Sequence, residues 1–340
     1  MWQVANRTPF QAGGTFIRDA HGHEHWCVAI RATFTADAAG RVHIAQEQMP
    51  VNFVARYGGS ENEVLLAEDD FVPFAPAGDI LLHGELQPAV SDDRPTPLTF
   101  KVGAVSKQAI LHPPRRARLV GRKWKLSDQG RHDRLSLGWQ SSFGGSLPQP
   151  LDDGPPENPL GYGEWLRAPH QFSPNTETIL PRIEAVGCDC MRDPQQSRVL
   201  GFGPIPRWWR PRLQLAGTFD DAWRRARSPL MPVDHDPRFA CAAPADQWSE
   251  KYLKGGEPVF LDGFTGAVPW QFRLPQALFQ VETKMRTGTV PSKAHIARLD
   301  LFPAESRFSV LWLSTLPCDG RDHEIQVTRV ALRQLAGVER

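Results

Sequence analysis

Hydrophobic and polar positions alternate along much of the first 145 residues. In "GGTFIRDAHGHEHWCVAIRATFTAD" the residues Trp26, Val28, Ile30, Ala32 and Phe34 share one face of an extended chain, because successive side chains of a strand point to opposite sides. The turn signal Asp19-Ala20-His21-Gly22 precedes them, so this stretch predicts a hairpin. Leu98, Phe100 and Val102 repeat the pattern before a turn at Gly103 and Ala104, and "DILLHGELQP" predicts another strand, ended by Pro88. After Glu257 the runs "PVFLDGF", "PWQFRLP", "ALFQVETKM", "KAHIARLDLF" and "RFSVLWLSTLP" read as strands, with Leu299 and Leu301, then Phe308, Val310 and Trp312, alternating toward a core.

Between 146 and 256 the alternation stops. "GGSLPQPLDDGPPENPLGYG", "GFGPIPRWWRPR" and "PLMPVDHDPRF" carry too much Pro and Gly for regular structure. One helix is expected over 219–227: Thr218 would be its N-cap, Asp220 and Asp221 lie in the first turn, Arg224, Arg225 and Arg227 lie near the end, and Pro229 stops it. The expected fold class is therefore mainly β, as one or two sandwich- or barrel-like units. An N-terminal unit would cover 1–145, a loop-rich centre 146–256 and a C-terminal unit 257–340, or all three would intertwine in one domain. A structureless connection of that length is abnormal in a compact domain, so the centre should be ordered by packing on the β core or around something else.

Composition adds little to the fold and more to the function. The 340 residues include 31 Pro and 28 Gly, which suits short strands and ordered loops. A net charge of +1 gives no global attraction to nucleic acid or to an anionic membrane. Locally, residues 55–93 hold nine acids and one Arg, whereas 107–134 hold nine bases and two acids. They read either as two faces that attract one another across the fold or as a dipolar docking surface. "MWQVANRTPF" lacks a secretory signal, and nothing approaches the ~20 consecutive apolar residues of a membrane span. Cys27, Cys188, Cys190, Cys241 and Cys318 are odd in number and scattered, which fits reduced thiols in the cytoplasm.

Each candidate chemistry has an ordinary structural alternative. His21, His23 and His25 in "HGHEH" would share a strand face and could share a metal, yet they sit at a turn where polar residues belong. Cys188 and Cys190 are one residue apart, closer than zinc-knuckle spacing, so no zinc and no cofactor is expected. "VDHDPRF" gathers Asp234, His235 and Asp236 with Arg238, the residue types of a metal-dependent hydrolase and equally of an Asp-capped turn. HExxH, GxSxG and P-loop motifs are absent from the sequence. Eleven Trp on a β scaffold would also suit a carbohydrate-binding sandwich.

"GFGPIPRWWRPR" poses the sharpest choice. Gly201 and Gly203 do not form a dinucleotide fingerprint, because Pro204 and Pro206 follow where free N–H donors would be required. Arg207, Trp208, Trp209, Arg210 and Arg212 could stack bases and meet phosphates, but the prolines stiffen a segment too short to track a strand, so nucleic acid is not expected. Fixed proline φ angles favour an extended brace, with Trp208 and Trp209 on opposite sides.

At this point the chain resembles a bacterial family catalogued as domain of unknown function 2169. The resemblance rests on blocks in order: "NRTPF" at 6–10, "WCVAIRATF" at 26–34, "DFVPF" at 70–74, "DILLHG" at 79–84, "SFGG" ending at Gly145, "NPLGYG" at 158–163 and "LPRIE" at 180–184. The segment at 201–212 follows, then "AGTFDDAW", "DPRF", "APADQ" and "LKGGE", the last ending at Glu257. The resemblance implies a non-enzymatic adaptor or chaperone of type VI secretion, acting in the cytoplasm. Its partners would be a secreted effector and the VgrG spike with a PAAR tip, without nucleic acid or membrane insertion. It carries over no catalytic residue. The family pattern "GFGPIPR-x-W-x-PR" places its Trp at Trp209, so Trp209 should be buried and Trp208 exposed beside Arg210. The expected partner-binding residues are Arg207, Trp208, Arg210 and Arg212, and the expected structural ones are Gly201, Gly203, Pro204, Pro206, Trp209, Asp236 and Arg238.

Overall fold

A computed structural model describes residues 3–59, 63–72, 74–151 and 156–339; Pro73 of the "DFVPF" block and residues 152–155 of the first Pro/Gly-rich stretch lie outside them. The fold is mainly β, with two short α-helices and short 3₁₀ turns among the described residues. The largest sheet runs in the order Trp248–Ser249, Gly78–Leu82, Ala294–Phe302, Arg307–Pro317, Glu24–Ala36, Gln11–Arg18, with Val42–Ile44 added to Glu24–Ala36. The expected hairpin is its edge: Gln11 pairs with Arg31 and Arg18 with Glu24. Trp26, Val28, Ile30, Ala32 and Phe34 all face one core, together with Leu299, Leu301, Phe308, Val310 and Trp312.

Two further sheets cover that face. One joins Ile183–Ala185, Val105–Leu111, Thr96–Val102, Pro258–Asp262 and Trp270–Arg273. Another joins Gln3–Arg7, Ile325–Ala336, Gln276–Met285 and Gly288–Ser292. Phe100, Leu261 and Trp270 from the first and Phe279, Val281 and Val330 from the second meet the large sheet in a single apolar cluster. Burying such rings and branched chains, at about 1.5–3 kcal/mol each, is the main favourable term of folding.

Strands from both ends of the chain share these sheets. Glu24–Ala36 pairs with Arg307–Pro317 along its length, Gly78–Leu82 runs parallel to Ala294–Phe302, and Gln3–Arg7 lies parallel to Ile325–Ala336. The segments 1–145 and 257–340 thus interleave instead of forming two separate sandwiches, because each supplies strands whose apolar faces the other must cover.

The short helix occupies Asp221–Ala226, and its N-cap is Asp220, not Thr218: the Asp220 carboxylate accepts the Trp223 N–H at 2.8 Å. Thr218 instead donates its hydroxyl to Asp234 at 2.7 Å. The basic stretch forms an unforeseen hairpin, Arg115–Val120 with Lys123–Gln129, turning at Gly121 with φ +65°. Its ion pairs run to Glu177 and Glu184, while Lys107 pairs with Asp246. The two oppositely charged stretches therefore do not neutralise one another through the ion pairs seen here. No helix among the described residues is long and apolar enough to cross a membrane.

Candidate functional site

Residues 201–206 are built into the core. The Gly201 carbonyl accepts from the Lys107 ammonium at 2.6 Å, and the Phe202 carbonyl accepts from Leu82 N at 3.1 Å and Gln247 Nε2 at 2.9 Å. Gly201 must be glycine: a Cβ there would lie 2.5 Å from the Trp139 ring. No such contact constrains Gly203, whose Cβ would meet only ordinary neighbours. Pro204 and Pro206 are buried, and the Pro204 carbonyl accepts from Trp139 Nε1 at 2.9 Å. Ile205 N donates to the Ala242 carbonyl at 2.8 Å.

Beyond Pro206 the chain is not extended throughout. Trp209 N donates back to the Pro206 carbonyl, and a helical turn follows at Arg210–Leu213 with Pro211 in its first positions, where a missing N–H costs nothing. Trp209 itself stays in the extended region, and the two indoles still part. Trp209 is 1% exposed and meets the Trp139 ring edge-on at 5.7 Å, whereas Trp208 is 43% exposed. The Trp208 ring lies against Tyr57, ring centroids 5.1 Å apart. Of the tryptophans described, only Trp208 falls in the exposed class, and Trp124, Trp165, Trp223 and Trp248 are half-buried.

The arginines divide in the same way. Arg212 is 2% exposed; its Nη1 donates to Glu68 at 2.6 Å and to the Ile205 carbonyl at 2.8 Å, and its Nη2 to the Phe239 carbonyl at 2.8 Å. It cannot offer a guanidinium to a partner, which corrects its place among the expected contact residues. Arg207, with 41% of its side chain exposed, donates to Glu68 at 2.7 Å and Asp69 at 2.5 Å. Arg210 is half-buried and borders a cavity.

Glu68, Asp69 and Asp70 anchor a buried ionic layer that alternation alone does not disclose. Asp70 accepts from Arg31 at 3.1 Å and Arg298 at 2.8 Å, and Asp300 accepts from Arg31 at 2.5 Å and faces His83 Nε2 at 2.8 Å. Burial would raise the Glu68 carboxyl, but the Arg212 and Arg207 guanidiniums hold it below its ordinary value. The layer ties Glu24–Ala36, Ala294–Phe302 and the 201–212 segment to one run of three acids. The sequence did carry a cue: Arg31, Arg298 and Asp300 interrupt otherwise apolar strands.

The cavity, about 560 Å³, opens beside Arg210 and is bordered by Gly144, Ser146, Glu157, Arg167 and Arg198. The "SFGG" and "NPLGYG" blocks shape it. Gly145 N donates to the Asn158 carbonyl at 2.8 Å, and a Cβ on Gly144, at φ +154°, would run into that carbonyl. Buried Asn158 in turn donates to the Trp139 and Phe143 carbonyls. Arg167 is fully engaged, with Glu164 and with the Pro194 and Ser197 carbonyls. Arg198 is exposed, and its guanidinium has no partner among the described residues. The cavity thus carries both the exposed Arg198 and the exposed Glu157 on a backbone-rich wall.

The other sequence candidates resolve into loop chemistry. Asp234 accepts the N–H and hydroxyl of Thr218, His235 Nδ1 contacts the Ala216 carbonyl, and Asp236 caps the turn Pro237–Ala240 while holding Arg238. These bonds hold both carboxyls below their ordinary value, so neither is poised as a general acid. At the first hairpin, His23 Nδ1 and His25 Nε2 each lie 3.2 Å from Asp19 Oδ2.

No curated protein and no solved structure matches the chain. A family model, described as "Uncharacterized protein conserved in bacteria (DUF2169)", matches residues 21–313, which take in the braced segment, the cavity and the large sheet except its edge strand Gln11–Arg18 and the end of Arg307–Pro317. The chain belongs to the DUF2169 family of bacterial proteins.

Proposed function

We propose that the protein is a non-enzymatic adaptor that binds a secreted effector in the cytoplasm and assists its loading onto a type VI secretion spike, VgrG with a PAAR tip. The observation that carries this reading is the division within residues 201–212. One side is fixed into the core by Trp209, Arg212 and the Gly201 and Phe202 carbonyls, and the other presents Trp208, which is 43% exposed against Tyr57, while Arg210 borders the cavity. Trp and Arg are the side chains that most often anchor protein interfaces, and a rigid support lowers the entropy lost on binding. Engagement of Asp234 and Asp236 in loop bonds supports a role without catalysis.

The test is co-purification with the effector and spike encoded beside its gene, together with a secretion assay on a deletion strain. Recovery of both proteins and loss of effector secretion are expected. Recovery of neither, with secretion undisturbed, sinks the reading.

A further inference from the structure

We infer that Cys190, Glu184, Asp189 and His112 form a site for a single zinc-like divalent cation at the root of the loop after Ile183–Ala185. Ligand atoms of Glu184, Asp189 and Cys190 lie within 4.8 Å of one another, and Glu184 and Cys190 are buried. The Cys190 thiol donates to Glu184 Oε1 at 3.2 Å. His112 brings the independent observation: it is 9% exposed, its Nε2 is buried without a hydrogen-bond partner, and it stands 3.7 Å from the same Glu184 oxygen. A buried ring nitrogen left unpaired is costly, and a cation beside Glu184 would satisfy it.

The spacings suit such a cation. Bonds of ~2.0–2.3 Å at tetrahedral angles separate neighbouring ligand atoms by about 3.3–3.5 Å. The Cys190–Glu184 and His112–Glu184 distances of 3.2 and 3.7 Å bracket that range, and His112, which lies outside the group of three whose ligand atoms are within 4.8 Å of one another, closes in on cation binding to complete the set. A mixed sulfur, nitrogen and oxygen set favours zinc over magnesium or calcium. Charge also balances: a thiolate and two carboxylates against a divalent cation leave one negative charge, and Arg115 donates to Glu184 Oε1 at 2.5 Å. On binding, the Cys190 S–H bond breaks, the sulfur lone pair forms the metal bond, and the proton leaves to solvent. Arg115 keeps the carboxylate oriented from outside. The ligands come from 112, 184, 189 and 190, so the Cys188-Cys190 spacing alone could not reveal them.

The intact protein, purified without a histidine tag or chelator, is titrated with zinc and with cobalt. One equivalent per chain and a thiolate-to-cobalt charge-transfer absorption are expected. Cys190→Ser should abolish that absorption, and His112→Gln should weaken zinc binding by more than about 100-fold, beyond the 10–100-fold typical of an outer-shell partner. Cys188→Ser, whose thiol points to the Gln196 carbonyl at 3.5 Å, should change neither. If the first two variants do not fold, the wild-type stoichiometry and spectrum decide. No cobalt–thiolate band in the wild type, a band lost only in Cys188→Ser, or binding indifferent to Cys190→Ser and His112→Gln overturns the site.

Discussion

Replacing Trp209 with Ala removes an indole that is 1% exposed and packed on Trp139, so the cost should be about 3–5 kcal/mol. Trp208→Ala removes a ring already 43% exposed and should cost less than about 1 kcal/mol. Denaturant melts of the two variants check this, and equal losses would contradict it. Asp19 gives a second test. Burial pushes its carboxyl up, but the His23 N–H, the His25 ring and the His21 N–H outweigh that and bring it down to about 2. A depressed value contributes stability that is present above the unfolded value near ~3.9 and is lost as pH falls toward 2. With solvent screening, about 1 kcal/mol is at stake. Urea midpoints for the wild type and Asp19→Asn should differ at pH 7 and converge as pH falls through that window; a gap that does not change with pH would contradict the assignment.

At the scale of elements, the helix Asp221–Ala226 separates two roles that the sequence had merged. Asp220 caps it, whereas Thr218 belongs to the Asp234 loop. Asp220→Ala should therefore cost about 1 kcal/mol. Thr218→Ala and Asp234→Ala should be strongly coupled in a double-mutant cycle, and Asp220→Ala should add independently to either. Coupling of Thr218 to Asp220 instead would restore Thr218 as the cap. Which elements the sequence disclosed follows from how plainly each faces water or core. Glu24–Ala36 and Arg307–Pro317 show one apolar face and were legible. The hairpin Arg115–Val120 with Lys123–Gln129 was not: Ala117 and Leu119 do alternate, but the Arg and Lys between them read as a solvated charge run. In 201–212 the prolines correctly signalled rigidity, yet Pro211 starts a helical turn as readily as it extends a chain.

At the scale of the molecule, alternation tells which residues face the core but not which strand lies alongside. Nothing local in Glu24–Ala36 says that its partner begins at Arg307, so the interleaving of the two ends was invisible beforehand. The ionic layer was hidden for the same reason, since Glu68–Asp70, Arg31, Arg212 and Arg298 meet only in three dimensions. What the sequence did show, through ordered blocks, was membership of DUF2169, and some of those blocks turn out to hold one another: Gly144 with Asn158, Phe202 with Gln247. Among the side chains left exposed are Trp208 in the braced segment and Arg198 at the cavity, and the proposed adaptor role is tested on these two. The most direct measurement is the affinity for a candidate secreted effector, the partner class proposed above, by titration calorimetry, of the wild type and of a Trp208→Ala, Arg198→Glu double variant with an unchanged melting temperature. The account predicts a complex with the wild type, weakened at least about tenfold in the variant, since an anchoring side chain carries more than ~1 kcal/mol; no complex, or equal affinity in both, would contradict it.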